Sequence, residues 1–155
     1  MNAPDVKGRY AHVARKIAAL TPHDWADLVR AQWALLKAQS AVRSRPIGSL
    51  ASPASDGRDA DPARLPEARR LALAVVRAAR FGVFRPQCLV RSVALSRMLE
   101  GRGIGGALVR VGVRRTDAEF LAHAWVELAG ETLGDADDHV GSFVPLTNLD
   151  VHRSR

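Results

Sequence analysis

The sequence predicts an α+β fold in which helices precede an antiparallel sheet. Up to Gly101, except over residues 43–64, the apolar residues recur with the 3.6-residue period of helices, whereas from Ala107 onward they alternate with a period of two. Gly130 then separates two alternating runs, as in a β-hairpin. Helices followed by strands are typical of α+β domains. The 155 residues suffice for one domain with its own core.

Two helices are predicted at the start of the chain, over residues 9–20 and 23–42. Between them, Thr21, Pro22 and Asp24 provide a helix cap, a first-turn proline and an early acidic residue. A stripe of large apolar residues follows at helical spacing, and we predict that it faces the core. The stripe consists of Trp25, Leu28, Val29, Trp33 and Leu36.

Residues 43–64 are predicted to be a linker or long loop, because they mix Ser, Pro, Gly and Asp without periodicity. This stretch divides the chain into a helical N-terminal region, residues 1–42, and a larger C-terminal region, residues 65–155. The predicted boundary between the two regions therefore rests on amino-acid composition.

Two further helices are predicted in the C-terminal region. The first covers 65–81, has Leu71, Val75 and Ala78 on one side, and ends at Gly82. The second begins at Cys88, ends at a glycine and is apolar around most of its circumference, so it is expected to be buried. The GxGxxG run over 101–106 follows a helix and precedes a strand, the reverse of the dinucleotide-binding order, and is interpreted as a turn.

The remaining elements are predicted strands. The first begins at Ala107, and the second covers Phe120–Leu128 with His123 and Trp125 on the same face. A third is expected over Thr132–Asp135 after the hairpin, and Phe143–Val144 is expected to add a short fourth strand.

Charge and cysteine content limit the function. Residues 1–85 carry 15 basic and 7 acidic side chains, net +8, whereas residues 86–155 carry 8 and 9, net −1. The basic residues are scattered and no nucleic-acid-binding motif accompanies them, so no nucleic-acid partner is expected. No apolar run approaches a membrane span and no signal-peptide pattern opens the chain, so we expect a cytoplasmic protein without a membrane partner.

The cysteine content also bears on metals and cofactors. Cys88 is the only cysteine, which excludes internal disulfides and cysteine-cluster zinc sites. The acidic run Asp135–His139 is followed by Val140 where a calcium loop needs glycine. We therefore expect neither a metal nor another cofactor.

Three residues are candidates for a nucleophilic site. Cys88 is predicted to begin a helix, where unpaired backbone N–H groups and the helix dipole favour a thiolate. A thiol nucleophile needs a proton acceptor, usually an imidazole, and a third group that orients it. We identify His123 and Asp135 as these groups, with Asp137 as the reserve carboxylate. The ordinary alternative is that the cysteine and the histidine only pack in the core.

The loop of the predicted hairpin decides whether His123 and Asp135 meet. A three-residue loop, residues 128–130, pairs Glu127 with Glu131 and places His123 opposite Asp135 on one face. A two- or four-residue loop turns Asp135 to the other face, unless a bulge restores the alignment. The candidate triad therefore predicts a three-residue loop.

Two neighbours of these residues are further candidates. The side chain of Gln87 would stabilise an oxyanion together with the backbone N–H of Cys88, or would simply be a polar residue at a helix start. Trp125 shares the strand face of His123 and would line the substrate cleft, shield the Cys–His pair or belong to the core.

The segment from Pro86 to Asp135 resembles the transglutaminase-like cysteine peptidases of lasso-peptide biosynthesis, and specifically their stand-alone leader peptidases. The resemblance is carried by Cys88-Leu89 opening a helix, by the strand Val109-Arg-Val-Gly-Val113 and by Ala122-His-Ala-Trp-Val-Glu127. It implies a papain- or transglutaminase-like core, with the nucleophile at a helix N-terminus packed on an antiparallel sheet. It also implies a triad of Cys88, His123 and Asp135.

What the resemblance implies for function is removal of the leader from a ribosomally made precursor, after a leader whose penultimate residue is threonine. It further implies a separate leader-recognition protein in trans and an asparagine-synthetase-like cyclase that closes the macrolactam. The basic N-terminal half, including Arg30 and Lys37 on one helix face, would dock the partner or acidic leader residues.

Two other classes of function stay open. A transglutaminase or other acyltransferase would use the same triad. A non-enzymatic adaptor would use the basic helices to bind a peptide or nucleic acid, with an inert thiol.

Overall fold

A computed structural model describes residues 21–44, 60–116 and 119–146 and has the predicted α+β fold. Four helices and a four-stranded antiparallel sheet make up this part of the chain. The helices are α1 (Pro22–Ser44), α2 (Leu65–Phe81), α3 (Cys88–Glu100) and α4 (Asp137–Val140), with a 3₁₀ turn at Pro62–Arg64. The strands are β1 (Leu108–Arg115), β2 (Phe120–Leu128), β3 (Glu131–Leu133) and β4 (Val144–Pro145). The predicted helix 9–20 and residues 45–59 of the predicted linker lie outside the described residues.

Helix α1 begins at the predicted cap. The backbone N–H and the hydroxyl of Thr21 both donate to Asp24 Oδ2, at 2.9 and 2.7 Å, and the Asp24 N–H donates to Thr21 Oγ1 at 3.2 Å. This reciprocal pairing satisfies N–H groups that a helix start leaves unpaired. The hydrogen bonds from Thr21 hold the pKa of the Asp24 carboxyl below its ordinary value.

Four of the five residues of the predicted apolar stripe face solvent, so the prediction that the stripe faces the core was wrong. Trp25 is 50% exposed, Val29 56%, Trp33 62% and Leu36 41%, whereas Leu28 is half-buried. The buried side of the helix consists of smaller residues and one carboxylate, namely Asp27, Ala31, Leu35, Ala38 and Ala41. Alanines let α1 pack closely against α2 and α3, and this close packing determines which side is buried.

Buried Asp27 joins α1 to the rest of the helical layer. Its carboxylate accepts hydrogen bonds from Arg70 at 3.0 Å, Arg102 at 2.9 Å and Arg30 at 3.3 Å. Arg102 also binds Glu67 of α2, at 3.2 Å. A buried charge is tolerated only when it is paired in this way.

Helices α2 and α3 confirm the prediction closely. Helix α2 covers the predicted residues and buries Leu71, Val75 and Ala78, while α3 begins at Cys88 and is largely buried. One core unites both helices with the buried side of α1 and with the inner face of the sheet, including Val126. None of the helices in the described ranges is long and apolar enough to span a membrane.

The sheet has the strand order β3-β2-β1-β4. The two faces of β2 carry different clusters, as its alternation predicts. Val126 and Leu128 pack toward the helices, whereas Trp125 packs with Val140 and Phe143 on the other face. The short fourth strand pairs with β1 one residue later than predicted, through Val144 and Pro145.

The hairpin between β2 and β3 has a two-residue loop, so the predicted three-residue loop was wrong. Leu128 pairs with Glu131 across Ala129 and Gly130, whose φ angles are +50° and +82°. Two successive positive φ angles are typical of the type I′ turn, whose twist matches that of paired strands. Strand β3 ends at Leu133, two residues earlier than predicted.

Candidate active site

Cys88 is the first residue of α3. Its thiol is free and partly buried, and the residue before it, Gln87, is extended and exposed. The first hydrogen bond of the helix runs from the Arg91 N–H to the Gln87 carbonyl at 3.1 Å. The N–H groups of residues 88–90 therefore precede the helical ladder, where they can donate hydrogen bonds to a nearby oxyanion.

His123 lies on β2 among aromatic side chains and is 9% exposed. Its ring stacks on Trp125, with 6.2 Å between centroids and 16° between planes. Phe143 lies against it at 5.3 Å and His139 meets it edge-on at 5.0 Å. These rings restrict the orientation of the imidazole, which a general base requires.

Asp135 contacts His123 even though the hairpin loop has two residues and not the predicted three. The distance from His123 Nε2 to Asp135 Oδ2 is 3.2 Å. Continued to Asp135, the β2–β3 register would place this residue opposite Ala124, on the wrong face. Gly134, with φ of +81°, ends the strand and redirects the chain, so the carboxylate reaches the imidazole.

Arg91 is a member of the site that the sequence analysis missed. Its Nη2 lies 3.6 Å from Asp135 Oδ1, while the other carboxylate oxygen faces His123. Arg91 is three residues after Cys88 and therefore lies about one turn further along α3. Its position one helical turn after the cysteine was the feature of the sequence that could have identified it. No local sequence pattern, however, indicates that its guanidinium reaches a carboxylate after the hairpin.

The structure thus joins two of the predicted residues directly and links the third through α3. His123 and Asp135 form a pair, and Arg91 connects that pair to the helix that begins at Cys88. Within the described ranges no hydrogen bond links the Cys88 thiol to His123. Asp137 begins α4, where it is exposed and, in the same ranges, makes no hydrogen bond to the imidazole.

Trp125 supports His123 from inside the fold. It is 1% exposed, and its indole N–H donates to Glu127 Oε1 at 2.8 Å. A Cβ atom at Gly112 of β1 would lie 2.7 Å from the indole, so that position must be glycine for the ring to fit. Trp125 is therefore a buried residue that packs beside the imidazole.

Comparison with known proteins assigns the chain to a superfamily. Residues 28–148 match the transglutaminase-like superfamily, and the chain belongs to that superfamily. It is also similar to the microcin J25-processing protein McjB of Escherichia coli, with 43% identity over 54 residues, or 35% of this chain. The match spans 24% of the length of that relative. No solved structure was found to match the chain.

Proposed function

We propose that this protein is a cysteine peptidase that removes the leader from a lasso-peptide precursor. The single observation that carries the proposal is the His123–Asp135 pair, which Arg91 connects to the helix starting at Cys88. Membership of the transglutaminase-like superfamily and similarity to a protein that processes microcin J25, a lasso peptide, support this assignment.

In the proposed mechanism His123 Nε2–H donates to Asp135, so Nδ1 is the nitrogen that accepts a proton. Nδ1 takes the thiol proton, and the Cys88 sulfur attacks the scissile carbonyl carbon. The backbone N–H of Cys88, with the Gln87 side chain, stabilises the oxyanion. The imidazolium then protonates the leaving amine, and the C–N bond breaks to give a thioester.

Hydrolysis of the thioester completes the cycle. His123 deprotonates a water molecule, the hydroxide attacks the acyl carbon, and the C–S bond breaks as the leader leaves with a new carboxylate. The sulfur recovers its proton from the imidazolium. Attack by an amine would instead form an amide, which is how a transglutaminase or other acyltransferase would use the same thioester.

The proposed partners are the precursor peptide, a separate leader-recognition protein and the cyclase that acts on the released core. They are proposed on the resemblance to lasso-peptide leader peptidases. The relative's name states only that it processes microcin J25.

The decisive experiment uses purified protein, a precursor peptide and its leader-recognition protein, with products measured by mass spectrometry. We expect cleavage by the wild type and none by Cys88→Ala, which should still fold because the change removes only one sulfur atom near the protein surface. Circular dichroism checks the folding of the variant. Cleavage by Cys88→Ala would contradict the mechanism.

The same assay separates hydrolysis from acyl transfer. In water enriched in ¹⁸O, hydrolysis places the label in the new carboxylate of the leader, whereas transfer to an added primary amine gives an unlabelled amide. We expect labelled carboxylate. An adaptor without enzymatic activity would give no product, and its thiol would react no faster than an ordinary cysteine with a small alkylating agent.

A further inference from the structure

The solvent face of α1 carries an apolar stripe that the proposed chemistry does not use. Trp25, Val29, Trp33 and Leu36 recur at helical spacing and are 41–62% exposed. Contiguous apolar patches of this kind on soluble proteins mark interaction sites. We call these four residues the α1 stripe.

A groove runs along the stripe, between α1 and α3. Its volume is about 410 Å³, and Val29, Trp33 and Met98 form its apolar walls. Arg30, Lys37 and Arg97 also line it, and the described residues that line it include no acidic side chain. The groove therefore combines apolar walls with a positively charged rim.

Among the described residues, the basic side chains at the rim outnumber the carboxylates that pair with them. In the part of the chain that the structure describes, neither Lys37 nor Arg97 makes a salt bridge, and Arg30 shares one carboxylate, Asp27, with two other arginines. A concentration of unneutralised cations attracts an acidic partner and disfavours a basic one.

Charge argues against occupation by this chain itself. Residues 1–20 contain four basic residues and one acidic residue, net +3. Residues 45–59 contain two of each, and residues 147–155 contain two basic and one acidic, net +1. A second copy would bring a net charge of +7 and its own cationic rim. The occupant that complements the groove is a different, acidic chain.

We infer that the α1 stripe and its groove dock an acidic amphipathic helix of a partner protein. The stripe extends over 12 residues of helix, from Trp25 to Leu36, or about 16 Å at 1.5 Å per residue step, which matches about three turns of a second helix. Apolar side chains of that helix fill the groove, and its flanking carboxylates meet Lys37 and Arg97. The inference does not depend on the chemistry of Cys88.

The test uses a designed helical peptide as the probe, with leucines along one face and glutamates on both flanks. A twin peptide carries lysine in place of every glutamate. Fluorescence anisotropy of the labelled peptides measures their affinity for the full chain at low and high salt. We expect the acidic peptide to bind at least about tenfold more tightly than its twin, with a preference that falls as salt rises.

Matched variants locate the binding site. Leu36→Ala, Trp33→Ala and Lys37→Glu should each weaken binding of the acidic peptide, the tryptophan change by about tenfold or more. Leu73→Ala is the apolar control, because Leu73 is 45% exposed on α2 and Leu36 is 41% exposed. Arg80→Glu on α2 is the charge control, and both controls should bind as the wild type does.

Several results would overturn the inference. They are failure of the acidic peptide to bind, equal binding of the two peptides, and equal losses in the control variants. Sedimentation that showed a dimer dissociated by Trp33→Ala would instead assign the stripe to a second copy of the chain. Because Cys88 lies outside the groove, loss of peptide binding with normal thiol chemistry would leave the proposed peptidase activity untouched.

Discussion

At the residue scale, Asp135 is one of three closely spaced carboxylates, and its contact with His123 distinguishes it from Asp137 and Asp138. We predict that His123→Ala removes precursor cleavage as fully as Cys88→Ala, on the order of 10⁶-fold, whereas Asp135→Ala costs on the order of 10⁴-fold, because the orienting acid is the least costly member of a triad. Single-turnover kinetics provides the measurement. Asp137→Ala is the matched control, and if it proved the more damaging change the carboxylate would be misassigned.

Gly134 tests how the carboxylate is placed. A Cβ atom there would meet Val76 and Ala72 at ordinary contact distances of 3.5 and 3.7 Å, so Gly134→Ala costs about 1 kcal/mol for its positive φ and not for a clash. We predict this loss in urea unfolding together with reduced cleavage, because the turn at Gly134 directs Asp135 to the imidazole.

Gly130→Ala is the control for this prediction. Gly130 has nearly the same φ, +82°, and open space around its Cβ position, but lies in the hairpin loop. It should lose similar stability while its activity per folded molecule stays at the wild-type level. Equal loss of activity in both variants would refute a specific role for the turn at Gly134.

The site was only partly predictable from the sequence. Cys88 and His123 stood out because a helix start and an alternating strand are local patterns. The loop length that supported Asp135 is wrong, and Asp135 contacts His123 through a glycine turn that the two-residue alternation does not encode. Arg91 was missed because its contact with Asp135 joins elements far apart in the chain.

At the scale of elements, helix ends were predicted well because glycine, proline and capping residues determine them locally. Helix α2 has the predicted bounds, and α3 ends immediately before Gly101. The orientation of α1 was not predictable in this way, since both of its sides are apolar. Close packing through Ala31 and Ala38, together with the pairing of Asp27, favoured the side with the smaller residues.

The cap of α1 gives a prediction about pH. Hydrogen bonds from Thr21 lower the pKa of Asp24 in the folded state, so its carboxylate stabilises the fold above the ordinary carboxyl pKa near 4. This stabilisation is lost as the pH falls through the lowered value. We therefore expect Asp24→Asn to lower Tm at pH 7, with a difference from the wild type that narrows below about pH 4.

Thermal unfolding followed by circular dichroism measures this effect. The same substitution in a Thr21→Val background is the control, because that background lacks the Thr21 hydroxyl that Asp24 accepts from and donates to. The change should have a smaller effect there. A difference in Tm that stayed constant from pH 7 to strongly acidic pH would contradict the role of the carboxylate.

At the scale of the whole molecule, the Asp27 cluster connects parts that lie far apart in sequence. Arg70 belongs to α2 and Arg102 to the turn before β1, so one buried carboxylate joins α1 to both. The family match also begins within α1, at residue 28. Although composition separates residues 1–42 from 65–155, α1 contributes to the same core as α2 and α3.

This connection predicts a global loss of stability on neutralising Asp27. Asp27→Asn keeps the shape of the side chain but leaves Arg30, Arg70 and Arg102 without their common anion. Removing one partner of a buried ion pair costs about 3–5 kcal/mol, and the partial exposure of the arginines favours the lower end, about 3 kcal/mol. We expect this loss in urea unfolding in a Trp25→Phe, Trp33→Phe background, where fluorescence reports Trp125 alone and circular dichroism reports the helices. Asp138→Asn, at an exposed position on α4, is the control and should change stability by less than about 0.5 kcal/mol.

The two unfolding signals also test whether α1 and the sheet form one cooperative unit. Loss of both signals at the same urea concentration would show that α1 and the sheet unfold together. Loss of the helical signal at a lower urea concentration than the fluorescence change would show that α1 detaches independently.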